Sequence, residues 1–261
     1  MKAKIYLVGA GPGDPGLITV KGKECIQTAD VIIYDYLASP ALLKHAPPNA
    51  EMIYVGKKGG DHTLSQDGIN ALIVEKAKAG LTVCRLKGGD PFIFGRGGEE
   101  IEALDAAGLP WQVVPGISAA NGCAAAAGIP LTHRNIARSV CYVTATTSDA
   151  TEPDWSRIGG AEQTVVVYMA LSKLRQICSG LIQGGTDQQQ HALLIENGTT
   201  LQQRMIRGTL STLPDKAAAA KVTSPALLIV GSVAGIAGVV AGQDSLPTAT
   251  ADWAPAASMQ G

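Results

Sequence analysis

The feature that most constrains the fold is an alternation in the first half of the chain between short β-rich apolar runs and longer mixed segments. The runs fall at residues 5–8, 31–34, 52–55, 82–86 and 112–114, with helical stretches at 19–27, 66–79 and 99–107 between several of them. This is the pattern of a parallel sheet with crossover helices. Gly80 and Gly108 stand where two of the helices end and a left-handed residue is wanted.

After Pro115-Gly116 the texture changes. A helix of small residues at 117–127 precedes strands at 139–144, 164–168, 191–195 and 226–230, with a helix at 172–182 and a weaker strand at 203–207. The expected organisation is an α/β domain over 1–115 and a second, with a more mixed sheet, over 116–242. From Gln243 onward the chain is poor in large apolar groups and rich in Ala, Pro, Ser and Thr, so 243–261 is expected to be a disordered tail.

Composition narrows the function classes. With 21 basic and 22 acidic side chains, the net charge of -1 provides no overall field for nucleic acid or an anionic membrane. The five cysteines are widely spaced and form no C-x-x-C pair, so they read as buried thiols in a reducing compartment, with no metal site. The N-terminus runs at once into a glycine loop and lacks a signal-peptide pattern, which points to a cytoplasmic protein. The stretch 226–242 is uncharged but glycine-interrupted and short of the roughly 20 apolar residues a spanning helix needs. It reads as a buried strand followed by a loop.

Directly after the first strand, VGAGPGDPG contains Gly11-x-Gly13-x-x-Gly16, and Asp35 closes the second strand about 20 residues on, as in a dinucleotide-binding fingerprint. A nicotinamide-dependent oxidoreductase is therefore one reading. Pyrophosphate is held by backbone N–H groups at a helix start, and Pro12 and Pro15 remove two of them from this loop, which suits a ligand without phosphates better. A second loop, LKGGDPFIFGRGGEE, follows the fourth strand and so opens at the same carboxyl edge. There Gly88 and Gly89 permit close backbone approach, Asp90 offers a carboxylate to hydroxyls or an amine, and Phe92, Ile93 and Phe94 supply an apolar wall. The plainer interpretations are a Gly-Gly-Asp-Pro turn and, for Glu99 and Glu100, stabilisation of a helix dipole.

Taken together, VGAGPGDPGLIT, DVIIYDYL, VGKKGG, RLKGGDPFIFGRGGEE, VPGISAANGCAAAAGIPLTHR, VVYMA, ENGT and TSPALLIVG resemble the uroporphyrinogen III C-methyltransferase family within the tetrapyrrole methyltransferase superfamily. The resemblance spans roughly residues 3 to 232, and its most specific part is RLKGGDPFIFGRGGEE. It implies two α/β domains of the tetrapyrrole methyltransferase type with the active site in the inter-domain cleft, a homodimer, and two methylations of uroporphyrinogen III, giving precorrin-2. Matching positions imply S-adenosylmethionine contacts at Pro12, Gly88, Gly89, Asp90, Ile93, Ser118, Ala119, Met169 and Gly198, with S-adenosylhomocysteine as product. The same matching makes Asp35 the proton acceptor and Lys57 the proton donor. The chain departs from the family at Tyr36 and in VTATT at 143–147.

Uroporphyrinogen carries several carboxylates, so a chain of near-zero net charge must concentrate cations where the macrocycle lies. Between Lys57 and Arg96 seven basic residues face four acids, a local balance of +3, with Lys76 and Lys78 read as a solvated helix face. That leaves Lys57, Lys58, Arg96 and His133-Arg134 as carboxylate binders. Arg96 leads because a planar fork can hold a carboxylate bidentately; Glu99 joins it as a substrate contact, and His133 also reads as a loop hydrogen-bonding residue. The alternatives are methylation of a later precorrin, the oxidoreductase, and a non-catalytic tetrapyrrole carrier.

Overall fold

A computed structural model describes residues 4–56, 64–145 and 151–236. Ten strands form two five-stranded sheets. The first comprises β1 (Ile5–Gly9), β2 (Val31–Tyr34), β3 (Glu51–Tyr54), β4 (Val83–Lys87) and β5 (Trp111–Val114), all parallel, in the order β3-β2-β4-β1-β5. Its helices are α1 (Val20–Gln27), α2 (Pro40–Leu43), α3 (Gln66–Lys78) and α4 (Gly97–Ala106).

Strand alternation sorts the buried residues onto two faces. Val8, Ile32 and Cys84 pack with Cys25 and Ile26 of α1 and Leu42 of α2. Their neighbours Leu7, Ile33 and Val83 pack with Ile69 and Ile73 of α3 and Leu104 of α4. Both faces are covered, which explains why these strands read as continuous apolar runs. Helices α1 and α3 begin on side-chain caps, Thr19 Oγ1 accepting from Gly22 N at 3.0 Å and Ser65 Oγ from Gly68 N at 3.1 Å. Gly80 and Gly108 have φ of +83° and +67° past the ends of α3 and α4, as anticipated.

The second sheet is mixed, as anticipated. Strands β6 (Ser139–Thr144) and β7 (Gln163–Tyr168) are parallel, while β8 (His191–Glu196), β9 (Arg204–Thr209) and β10 (Ala226–Val230) join antiparallel, in the order β6-β7-β10-β8-β9. Helix α5 (Ala119–Ala126) lays Ala120, Cys123 and Ala124 on one face, against Val166, Leu193 and Ile229. Helices α6 (Leu174–Gln183) and α7 (Leu213–Ala219) cover the other face, where Ile177, Leu181 and Leu213 meet Val165, Val167 and Leu194. Neither α2 nor α7 was anticipated, because PALL is a single turn and LPDKAAA has no apolar period.

Within the stretch 226–242, the described residues form a buried strand, Ala226–Val230, followed by a short 3-10 turn, Ser232–Gly235. Among the described residues no helix is long and apolar enough to cross a membrane. The proposed tail, 243–261, lies outside the described residues. All five cysteines are free, and only Cys141 is not fully buried. Burial pushes the Cys123 thiol up to about 12 and the Cys178 thiol up to about 11.

Candidate active site

The strand order fixes where a ligand can enter. Strands β1 and β4 are neighbours, yet the chain leaves β1 for α1 on one face and β4 for α4 on the other. A crevice at the carboxyl end of such a pair is the usual ligand position in open α/β sheets. The two glycine loops meet there. Gly11 N donates to Gly89 O at 3.2 Å and Gly89 N to Gly11 O at 2.7 Å, while Ala10 N donates to Lys87 O at 2.7 Å. A third loop closes in after β5, its Gly116 N donating to Asp90 Oδ2 at 3.0 Å.

Backbones touch where these loops cross. A side-chain carbon at Gly9 would lie 2.5 Å from Gly116 Cα and 2.6 Å from the Gly89 oxygen. One at Gly116 would lie 2.7 Å from Gly9 Cα. Only glycine fits at these crossings. Asp90 braces the turn, its Oδ1 accepting from Phe92 N at 2.9 Å. Each of its oxygens keeps a lone pair for a hydroxyl or amine.

The first loop has few donors left to offer. Pro12 and Pro15 have none, and the amides of Ala10, Gly11, Asp14, Gly16 and Leu17 all donate within the protein. Asp14 N reaches across to Thr199 Oγ1, in the turn between β8 and β9, at 3.0 Å, and Asp14 Oδ1 accepts from Gly16 N at 2.7 Å. A helix-start phosphate site needs free amides. The geometry therefore strengthens the argument that the prolines raised against a dinucleotide.

Helix α5 gathers the remaining residues. Ser118 caps it, Oγ accepting from Asn121 N at 3.3 Å, and Ala119 opens it. Pro12 packs on Gly122, and Gly198 sits against Cys123, so neither glycine has room for a side chain. Tyr168 Oη accepts from Ala120 N at 3.0 Å, tying the end of β7, just before Met169, to the start of the helix. Met169 and Phe94 both adopt left-handed backbone, φ 55° and 51°, and both are exposed. The Phe94 ring lies 4.8 Å from that of Tyr168, and Tyr168 lies 6.1 Å from Tyr142, a chain of rings from the second glycine loop to the second sheet. Ile93 is half-buried beside it.

Asp35 ends a line of buried charge absent from the sequence reading. Arg85 and Lys87 of β4 point to the α4 face, where both donate to Glu100 Oε1, Arg85 Nε at 2.9 Å and Lys87 Nζ at 2.8 Å. Glu100 was read as a helix-dipole residue; it is instead a fully buried counter-ion. Arg85 also reaches Asp35 Oδ2 at 3.3 Å, and Asp35 Oδ1 accepts from Leu37 N at 3.1 Å. Burial, then the Arg85 charge, pull Lys87 below the usual lysine range despite Glu100. The +3 balance read from the sequence does not reach solvent intact, since Asp35 and Glu100 neutralise Arg85 and Lys87 internally. A signal for this cluster was available: alternation puts Val83, Arg85 and Lys87 on one face, and two cations facing a helix need acids there.

Arg96 and Glu99 pair bidentately on the surface, Nε–Oε1 at 2.8 Å and Nη2–Oε2 at 2.6 Å. Their hydrogen bond raises the Arg96 pKa and lowers that of Glu99. His133 behaves as a loop residue, its Nδ1 accepting from Asn135 N at 3.3 Å. With Arg134, Thr132, Ala137 and Arg138 it lines an open depression of about 610 Å³. Lys76, read as part of a solvated face, pairs with Glu51 at 2.8 Å. Lys57 and Lys58 lie outside the described residues, and among the described residues no group of acids, histidines or cysteines could hold a metal ion.

A parallel sheet whose glycine loops converge at one edge, with most amides of the first loop already used, defines an α/β protein built for a ligand other than a dinucleotide. The chain belongs to the tetrapyrrole (corrin/porphyrin) methylases, whose family model matches residues 4–214. It is 54% identical over 231 residues to a siroheme synthase of Pseudomonas fluorescens (strain Pf0-1), covering 88% of this chain and 50% of that protein. It is 53% identical over 234 residues to the siroheme synthase of Methylococcus capsulatus (strain Bath), covering 89% and 49%. The chain thus spans about half the length of the curated relatives it matches. Among solved structures it is similar to the uroporphyrin III C-methyl transferase of Thermus thermophilus, with 37% identity, TM-score 0.76, and coverage of 88% of this chain and 98% of that one. The Thermus enzyme has also been solved with S-adenyl homocysteine.

Proposed function

We propose that the chain methylates uroporphyrinogen III at carbons 2 and 7 with S-adenosylmethionine, giving precorrin-2 by way of precorrin-1 and releasing S-adenosylhomocysteine. The observation that carries this reading is the glycine cradle at the β1/β4 edge, which a backbone-hugging ligand can approach and whose first loop has already used most of its amides. The similarity to a Thermus enzyme solved with S-adenyl homocysteine supports the same donor.

In this reading the segments 1–115 and 116–242 are two domains with the active site in the cleft between them. Pro12, Gly88, Gly89, Asp90, Ile93, Ser118, Ala119, Met169 and Gly198 hold the donor. When bound, S-adenosylmethionine supplies an electrophilic methyl group and departs as a neutral thioether. The protein orients the partners and excludes water. Methylation leaves the macrocycle cationic. Asp35 accepts the proton then shed: a ring C–H bond breaks, an O–H bond forms on the carboxylate, and the freed electron pair neutralises the ring. Lys57 is the donor in the complementary proton transfer. Arg96, Lys58, His133 and Arg134 meet the substrate carboxylates, and Arg96 exchanges Glu99 for one of them, leaving Glu99 to turn to the macrocycle. The enzyme works as a homodimer in the cytoplasm.

Labelled methyl transfer followed by mass spectrometry of the product tests this directly, with two methyl groups per macrocycle as the expected count. Binding of the donor without a methylated tetrapyrrole overturns it, and assays with later precorrins side by side separate the substrate classes. Asp35→Asn is expected to lower turnover by about 10² or more, the usual contribution of a positioned base, while leaving donor binding in place.

A further inference from the structure

The buried charges behind Asp35 are more than the fold requires. Arg85 sits in a central strand of a covered sheet, on the face where Val83 and Ile33 are apolar. An apolar residue of similar volume there would serve stability as well or better. The four charged side chains instead form one connected cluster that runs from interior to rim. Glu100, Lys87 and Arg85 have side-chain exposures of 0%, 4% and 4%, and Asp35, at the strand end, has 23%.

Arg85 has no freedom to turn. Its Nε is held by Glu100 at 2.9 Å, and its Nη1 donates to the carbonyl oxygens of Leu86 at 3.1 Å and Ile33 at 3.4 Å. With the guanidinium plane fixed on that side, the direction in which Nη2 meets Asp35 Oδ2 is fixed too. The Leu37 amide takes the other oxygen. Each carboxylate oxygen therefore has one lone pair tied down and one left for a proton. The four charges sum to zero only when Asp35 is ionised, the form that can accept a proton.

We infer that Arg85, anchored by Glu100, is a positioning residue that holds the Asp35 carboxylate in the orientation needed for proton abstraction. This rests on the reading of Asp35 as the base. Lys87 shares the Glu100 oxygen and balances the charge, so Glu100 can serve Arg85 without leaving an uncompensated anion in the interior.

Single-turnover transfer of labelled methyl groups to uroporphyrinogen III tests the inference in Arg85→Lys and Glu100→Asp, each alone and combined with Asp35→Asn. Both substitutions keep the charge count. Each single variant is expected to lower turnover about tenfold or more, since small misplacements of a reacting group are costly. KM for S-adenosylmethionine should stay within twofold of the parent. In the Asp35→Asn background the same substitutions should change turnover less than twofold, because the group they position is gone. Full turnover in Arg85→Lys, or an equal loss in the Asp35→Asn background, overturns the positioning role. If Asp35→Asn alone keeps parental turnover, the base reading falls, a result distinct from either. Thermal unfolding of each variant identifies one that has not folded, and the other then carries the comparison.

Discussion

Among the described residues one glutamate is buried in each half of the molecule, Glu100 of α4 against the first sheet and Glu196 in the second, and the two are handled differently. Glu196, at the end of β8, has both oxygens occupied: Oε1 accepts from Thr223 N and Oγ1, each at 2.7 Å, and Oε2 from Arg204 Nε at 2.5 Å. Burial alone would raise its pKa, but the Thr223 hydroxyl and amide with Arg204 overcome this and hold it below the usual carboxylate range. Glu100 places two cations on Oε1, while its buried Oε2 has no hydrogen-bond partner among the described residues. The second sheet satisfies its acid completely and locally. The first leaves one oxygen unmet and connects the other, through Arg85, to the proposed base. Polar groups that a fold leaves under-satisfied tend to mark function, since stability alone would fill or remove them.

The largest effect that would sharpen this contrast is on folding. Glu100→Gln strands two buried cations against one remaining acid and should cost about 3–5 kcal/mol in denaturant unfolding, the usual penalty for breaking a buried charge cluster. Glu196→Gln keeps an amide oxygen for Thr223 and leaves Arg204, whose side chain is 50% exposed, free to turn to water. It should cost about 1–3 kcal/mol. Equal costs would break the comparison. Next, Gly116→Ala inserts a carbon 2.7 Å from Gly9 Cα, and backbone displacement there should cost about 1–3 kcal/mol. It should also weaken S-adenosylhomocysteine binding by calorimetry; unchanged affinity would detach the crossing loops from the ligand.

A subtler difference is expected in acid. The folded pKa of Glu196 is depressed, so its contribution is fully present above the unfolded value of about 4.3 and is lost as pH falls through the folded pKa. Stability measured from about pH 6 downward should therefore fall less steeply in Glu196→Gln than in the parent. The smallest effect concerns thiols. Alkylation of the native protein near neutral pH should modify Cys141 before Cys123 or Cys178, whose pKa values burial raises to about 12 and about 11. Mass spectrometry of the labelled peptides reads the order.

The strands were legible because parallel sheets covered on both faces leave uninterrupted apolar runs, and the observed ends of β2, β6 and β10 coincide with the expected ones. Helix α4 begins at Gly97, two residues before the expected start, where Gly97 N donates to Pro91 O and two glycines of low helix propensity open the helix. The convergence of the two glycine loops was also legible, since both follow strands of one parallel sheet. The partners of Asp35 were not. Arg85 and Glu100 are 15 residues apart on different elements, and no local period joins a strand cation to a helix acid. Thr199 was likewise hidden, its bond to the Asp14 amide joining two loops 185 residues apart.

The scarcity of free amides in the first loop has a consequence for competition among metabolites. Adenosine is a part common to the sulfonium donor and to abundant phosphorylated nucleotides, so a pocket that recognised adenosine alone would be clogged by the commoner molecules. Repulsion by negative charge would be one safeguard, but it would also push away a polycarboxylate tetrapyrrole. Under the proposed reading, a loop with most of its amides already committed turns away phosphate by giving it little to hold, and leaves Arg96, once it exchanges Glu99, to attract the acidic macrocycle.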